Sequence, residues 1–139
     1  MSEETVKTVL DLLGNITATR VMESREGRSV IEISFSANGT FGEHDVAGFF
    51  TYEAEAISSD SFIGSGKAVL QATDGDGAAT IKATGAVQRA AGATQLVWRA
   101  HGAVQSSARK FADWHGRLLD ITVHVGDDQK VSLQAARWT

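Results

Sequence analysis

The sequence predicts an all-β domain: a single antiparallel meander of about eight strands closed into a small barrel, with a short N-terminal helix and a helical corner near residues 107–115. Three observations carry this expectation. From Ile16 onward apolar and polar residues alternate with period two, the rhythm of strands with one dry and one wet face. The connections are too short for the crossovers that parallel strands need. The chain also has 14 glycines and no proline, so it bends through Gly, Asp and Asn.

The elements follow in order. Ser2 to Leu13 is predicted as an amphipathic helix, because Val6, Val9, Leu10 and Leu13 recur at steps of three and four, Glu3 and Glu4 suit the positive end of the helix dipole, and Gly14 is a stop. The dry parity then collects Ile31, Ile33 and Phe35; Phe50, Tyr52 and Ala54; and Phe62, Gly64, Gly66, Ala68 and Leu70. It continues through Ile81, Ala83, Gly85 and Val87; Leu96, Trp98, Ala100, Gly102 and Val104; Leu119, Ile121 and Val123; and Val131, Leu133 and Ala135. The wet parity carries Glu32, Glu53, Lys67, Lys82, Arg99, His101, Asp120 and His124.

Turns are expected at Glu26-Gly27, Asn38-Gly39, Asp74 to Gly77, Ala91-Gly92 and Gly126 to Asp128. Closing the sheet on itself buries the dry face and removes the exposed edges. A two-sheet sandwich is the alternative. One heptapeptide recurs, as Lys82 to Gln88 (KATGAVQ) and Arg99 to Gln105 (RAHGAVQ), with glycine on the dry face in both copies; this implies matched bends in two neighbouring strands. After it, Ser106-Ser107 supplies a cap, Ala108 to His115 a helical turn and Gly116 a stop, so that Phe111 and Trp114 plug one end of the barrel.

Composition bounds the function. A chain of 139 residues, 42% hydrophobic and 22% charged, is one folded domain with a core of its own. It has no cysteine for a disulfide or thiolate metal site. A net charge of -4 without basic runs argues against nucleic acid and anionic membrane as partners. No apolar block has the length of a signal peptide or a membrane span, which makes the cytoplasm the expected location.

Catalytic motifs are scarce. Arg99 and His101 lie two apart on the wet face and read as solvated groups paired with Glu53, Glu55 or Asp120, a catalytic pair being the alternative. His44 and His124 stand alone in different strands, and His115 lies at a helix end that suits a protonated imidazole. None has metal-ligand spacing, so no metal is expected. Gly64-Ser-Gly66-Lys67 lacks the phosphate-loop pattern, Asp74 to Gly77 lacks the rest of a calcium loop, and no serine sits in a nucleophile elbow.

The dry face alternates large residues with very small ones, which fits either a ligand cavity or tight interdigitation. For a cavity, the polar handles are Tyr52 and, at the rim, Arg137. These are the candidate catalytic residues: Tyr52 to exchange a hydrogen bond with a substrate oxygen, and Arg137 to hold an anionic group. Phe35, Phe50, Phe62 and Trp98 are the candidate substrate-binding residues. No cofactor is called for.

The stretches GSGKAVLQATDGDGAATIKATGAV (Gly64 to Val87) and LVWRAHGAVQSSARKFADWHG (Leu96 to Gly116), with a final hairpin ending in Trp138, resemble a group of small bacterial and archaeal proteins. That group shares a DGE-like turn, a strand ending in an RGA-like triplet, a Ser-Ser-x-Lys corner and a closing tryptophan. More remotely, the layout looks like the allene oxide cyclase type of barrel. That resemblance implies a central cavity, dimers or other homo-oligomers, and a cofactor-independent isomerase or cyclase acting on a hydrophobic, polyketide- or lipid-like substrate. No catalytic residue carries over, because no active-site motif of those enzymes matches a position here. A non-catalytic carrier or sensor of a hydrophobic metabolite and a solid-cored assembly module are the rival expectations.

Overall fold

The computed structural model describes residues 7–88 and 95–138. Eight strands follow one another: β1 (Thr8–Val21), β2 (Val30–Phe41), β3 (His44–Ala56), β4 (Ser61–Ala72), β5 (Ala78–Gln88), β6 (Leu96–Gln105), β7 (Leu118–Val125) and β8 (Lys130–Arg137). Each pairs antiparallel with the next, and β8 returns to β1, so the sheet is a closed barrel. Strands with one apolar face reach this arrangement because closure buries that face and leaves no unpaired edge. One inward row runs Phe35, Phe50, Ala68, Ile81 and Val104 across consecutive strands, and a second runs Tyr52, Gly66, Ala83, Gly102 and Leu119. Among the described residues no polar or charged residue is fully buried.

The expected N-terminal helix is replaced by strand. Thr8 to Leu13 belong to β1, while Ser2 to Val6 lie outside the described residues. Leu10 and Leu12 face the core at 0% and 1% exposure, whereas Leu13, which a helical stripe would bury, is 68% exposed. The reason is non-local. β1 bridges β2 and β8, and its backbone is satisfied from both sides, an outcome that outweighs the weak helical preference of about three turns.

Asn38-Gly39 is not a turn but part of β2, where a Cβ on Gly39 would stand 1.9 Å from the carbonyl oxygen of Asp11. The glycine serves a close approach of β1 and β2, and the chain reverses instead after Phe41, at Gly42 (φ 61°). Glu26 and Gly27, at φ 52° and 80°, make the expected two-residue reversal, with Arg25 and Arg28 exchanging backbone hydrogen bonds of 3.0 and 2.9 Å. The Ala91-Gly92 position lies outside the described residues.

The corner after β6 contains a 3-10 helix, Arg109–Trp114. It caps one end of the barrel: Phe111 is fully buried, its ring 5.6 Å from that of Phe41, and Trp114 lies 5.0 Å from Phe41. The serines do not cap it as expected. Ser106 Oγ donates to the carbonyl of Ala78 (2.7 Å) and accepts from the N–H of Ala108 (3.1 Å), tying the corner to β5. His115 Nδ1 accepts the N–H of Ser106 at 3.1 Å, so this imidazole pins the corner.

Candidate functional site

The widest contrast in side-chain size along the inward face produces the candidate site. β4, β5 and β6 present Gly64, Gly66, Ala83, Gly85 and Ala100, and Gly64 pairs with Gly85 while Gly85 pairs with Ala100. The recurring heptapeptides lie side by side here, with Ala83 opposite Gly102 and Gly85 opposite Ala100. Glycine is required by the wall itself. A Cβ on Gly64 would stand 2.2 Å from the carbonyl oxygen of Glu53, and one on Gly85 2.4 Å from that of Arg99. Backbone approach therefore dictates the glycines, and the space in front of them follows.

That space is a chamber of about 90 Å³, bounded across from the glycines by Phe35, Phe50, Tyr52 and Trp98 and by Leu10, Ile121 and Leu133. The aromatics form a chain. Phe35 and Phe50 stack at 4.5 Å, Tyr52 meets Phe35 edge-on at 6.2 Å, and Trp98 meets Tyr52 edge-on at 5.0 Å.

Two polar atoms enter this apolar setting, the Tyr52 hydroxyl and Trp98 Nε1. Both are shut off from solvent, and neither has a hydrogen-bond partner among the described residues. Burial pushes the Tyr52 phenol up to about 12, a rise that the neighbouring Trp98 N–H partly offsets without reaching the alignment of a hydrogen bond. Tyr52 is thus a neutral phenol near pH 7. Buried donors of this kind ordinarily have partners, and an unpaired one is costly.

The fold has solved relatives. A protein of unknown function from Clostridium acetobutylicum superposes with a TM-score of 0.76 over 100% of this chain and 99% of its own, at 11% identity. A conserved protein of unknown function from Rhodopseudomonas palustris does so with a TM-score of 0.67 over 98% and 99%, also at 11% identity. At such identity the likeness is one of fold alone. No family model and no curated protein sequence matches the chain.

The other candidates are distributed elsewhere. Phe62 is half-buried and pairs with Val87 towards the barrel end opposite the 3-10 corner, outside the chamber lining. Arg137 also lies outside it. Its guanidinium sits 5.6 Å over the Trp114 ring, in a rim groove shared with His44, His101, Asp120 and Trp138. Tyr52 and Arg137 are therefore not brought together, because β8 ends at Arg137 and the inward parity there continues past the end of the barrel.

His101 and Arg99 face outward as the parity predicts, with His101 Nε2 3.9 Å from Asp120 Oδ1 and its ring against Trp138. Glu53 and Glu55 pair with Arg25 and Arg28, not with Arg99 or His101. Leu10 is a lining residue that sequence reasoning missed, and Thr51, Ser65, Lys67 and Thr84 also border the chamber although their parity is outward. The signal was present, since Leu10 and Leu12 already keep the period of two. Among the described residues no three His, Cys, Asp or Glu side chains converge to hold a metal, and no helix is long and apolar enough to cross a membrane.

Proposed function

We propose that this chain is a small-molecule-binding barrel that holds one hydrophobic ligand in the chamber between Tyr52, Trp98 and the glycine-bearing wall. The observation that carries the reading is the pair of solvent-excluded, unpartnered donors facing an apolar space. Phe35 and Phe50 would hold the ligand by contact, and Tyr52 would orient it through a hydrogen bond.

Size restricts the ligand. Drug-sized ligands fill pockets of roughly 300–1,000 Å³, and an engineered apolar cavity of about 150 Å³ takes benzene. The chamber is smaller than either, so the occupant is a compact molecule and not a long polyketide or lipid, unless the wall opens around it.

Isomerase or cyclase chemistry of the allene oxide cyclase type would draw on Tyr52 as a preorganised neutral donor to a developing oxyanion. Besides Tyr52 the titratable lining residue is Lys67, which is exposed and of outward parity, so no carboxylate or imidazole stands ready there as a base. That favours carriage or sensing as the second reading. Native mass spectrometry of protein purified from its own host tests the proposal: a retained small molecule, lost when Ala100→Leu fills the chamber, is the expected result. Uptake of no ligand or hydrophobic dye by the wild-type protein would leave a solid-cored module as the account.

A further inference from the structure

We infer that the chamber is shaped for a neutral carbonyl compound, a small ketone or aldehyde of about four heavy atoms, whose oxygen accepts hydrogen bonds from both the Tyr52 hydroxyl and the Trp98 N–H. This rests on the chamber being a ligand site and adds the ligand's chemistry. Indole is a donor only, whereas a phenol has one donor and an acceptor oxygen. If Trp98 turned its N–H onto the Tyr52 oxygen, the Tyr52 proton would still want an acceptor. The inward side chains around it offer none: Phe35, Phe50, Ala83, Ala100, Ile121 and Leu133 are all apolar. No strand carbonyl among the described residues accepts from it either.

The missing group is thus a single oxygen with two lone pairs and no proton of its own. A carbonyl has this inventory. An alcohol accepts both bonds but adds a donor that competes for the Tyr52 oxygen, and an alkene leaves both protein donors unpaired. A carboxylate would carry a full charge into a space with no inward-facing cation, because Lys67 lines it only from an exposed, outward-parity position and Arg137 is held at the rim over Trp114. With the two donor rings only 5.0 Å apart by centroid, one shared acceptor atom is the simplest way to satisfy both.

Three probes of closely similar size decide the matter: acetone, 2-propanol and isobutene, titrated into the full chain with 15N-labelled tryptophan side chains. The ketone is expected to bind at least tenfold more tightly than the alkene, with the alcohol between them, since sites built around a hydrogen bond discriminate strongly against analogues that lack it. The Trp98 indole signal, assigned with Trp98→Phe, is expected to move downfield with the ketone and not with the alkene.

In Tyr52→Phe the ketone should lose at least tenfold relative to the alkene; the Trp98 signal in the wild-type chain tests the shared acceptor without any substitution. Equal or tighter binding of the alkene, or a Trp98 signal indifferent to the ketone, would overturn the carbonyl assignment and leave the chamber as an apolar site. No binding of any of the three would overturn both.

Discussion

The end of the barrel under the 3-10 corner and the chamber in its middle are built from the same kinds of residue and reach opposite results. At the corner, Phe111 and Trp114 both pack on Phe41, and Leu70, Leu119, Val46 and Val104 of the same core are fully buried. In the chamber, Phe35, Phe50, Tyr52 and Trp98 face Gly64, Gly66, Ala83, Gly85 and Ala100, and space remains between them. Polar atoms follow the same division. At the corner Ser106 Oγ and His115 Nδ1 are bonded, while in the chamber the hydroxyl of Tyr52 and the N–H of Trp98 are not. The number of aromatic residues does not make a cavity; what stands opposite them does. The corner serves stability, whereas the chamber forgoes contacts that would add to it.

Substitutions sharpen this contrast, beginning with the largest effect. Phe111→Ala removes a ring with 0% exposure from the plug and is expected to destabilise the fold by about 3–5 kcal/mol in denaturant titrations. Gly64→Ala places a Cβ 2.2 Å from the Glu53 carbonyl and should cost about 1–3 kcal/mol through displacement of the β3–β4 pairing. Ser106→Ala removes the 2.7 Å bond to Ala78 and should cost about 1 kcal/mol. Ala100→Leu, which grows into the chamber, is expected to change stability by less than about 1 kcal/mol while abolishing ligand uptake. A loss for Ala100→Leu as large as that for Phe111→Ala would mean that the two regions are packed alike.

Alkaline titration separates the regions without changing volume. The folded phenol of Tyr52 ionises at about 12, above the ordinary 10.0, so the unfolded chain loses its proton first. The stability this group contributes is present in full below pH 10 and is lost as the pH rises towards 12. Wild-type protein should therefore weaken across that window more steeply than Tyr52→Phe. Identical slopes would place the hydroxyl in water.

Most of the fold was legible because side-chain alternation is a local signal that survives closure, and Tyr52 and Trp98 fall in the chamber as their parity requires. Two errors have one source. Val9, Leu10 and Leu13 satisfy a helical spacing, and Asn38-Gly39 has the composition of a turn, but both segments lie where β1 and β2 pair, a contact that no local window contains. Parity also tells which side of the wall a residue faces and not how far along the barrel it stands. Phe62 and Arg137 share the inward parity, yet they sit towards opposite ends, away from the chamber. The unpaired state of Tyr52 and Trp98 was invisible for a related reason, since it depends on glycines one and two strands away.

A crystal structure of the protein under xenon pressure measures the decisive quantity, the open space itself, independently of which ligand it serves. Xenon bound among Tyr52, Trp98 and Gly85, with the region around Phe111 empty of it, is the predicted result. A barrel whose aromatic side chains have closed onto the glycine wall, with no xenon inside, would contradict the account.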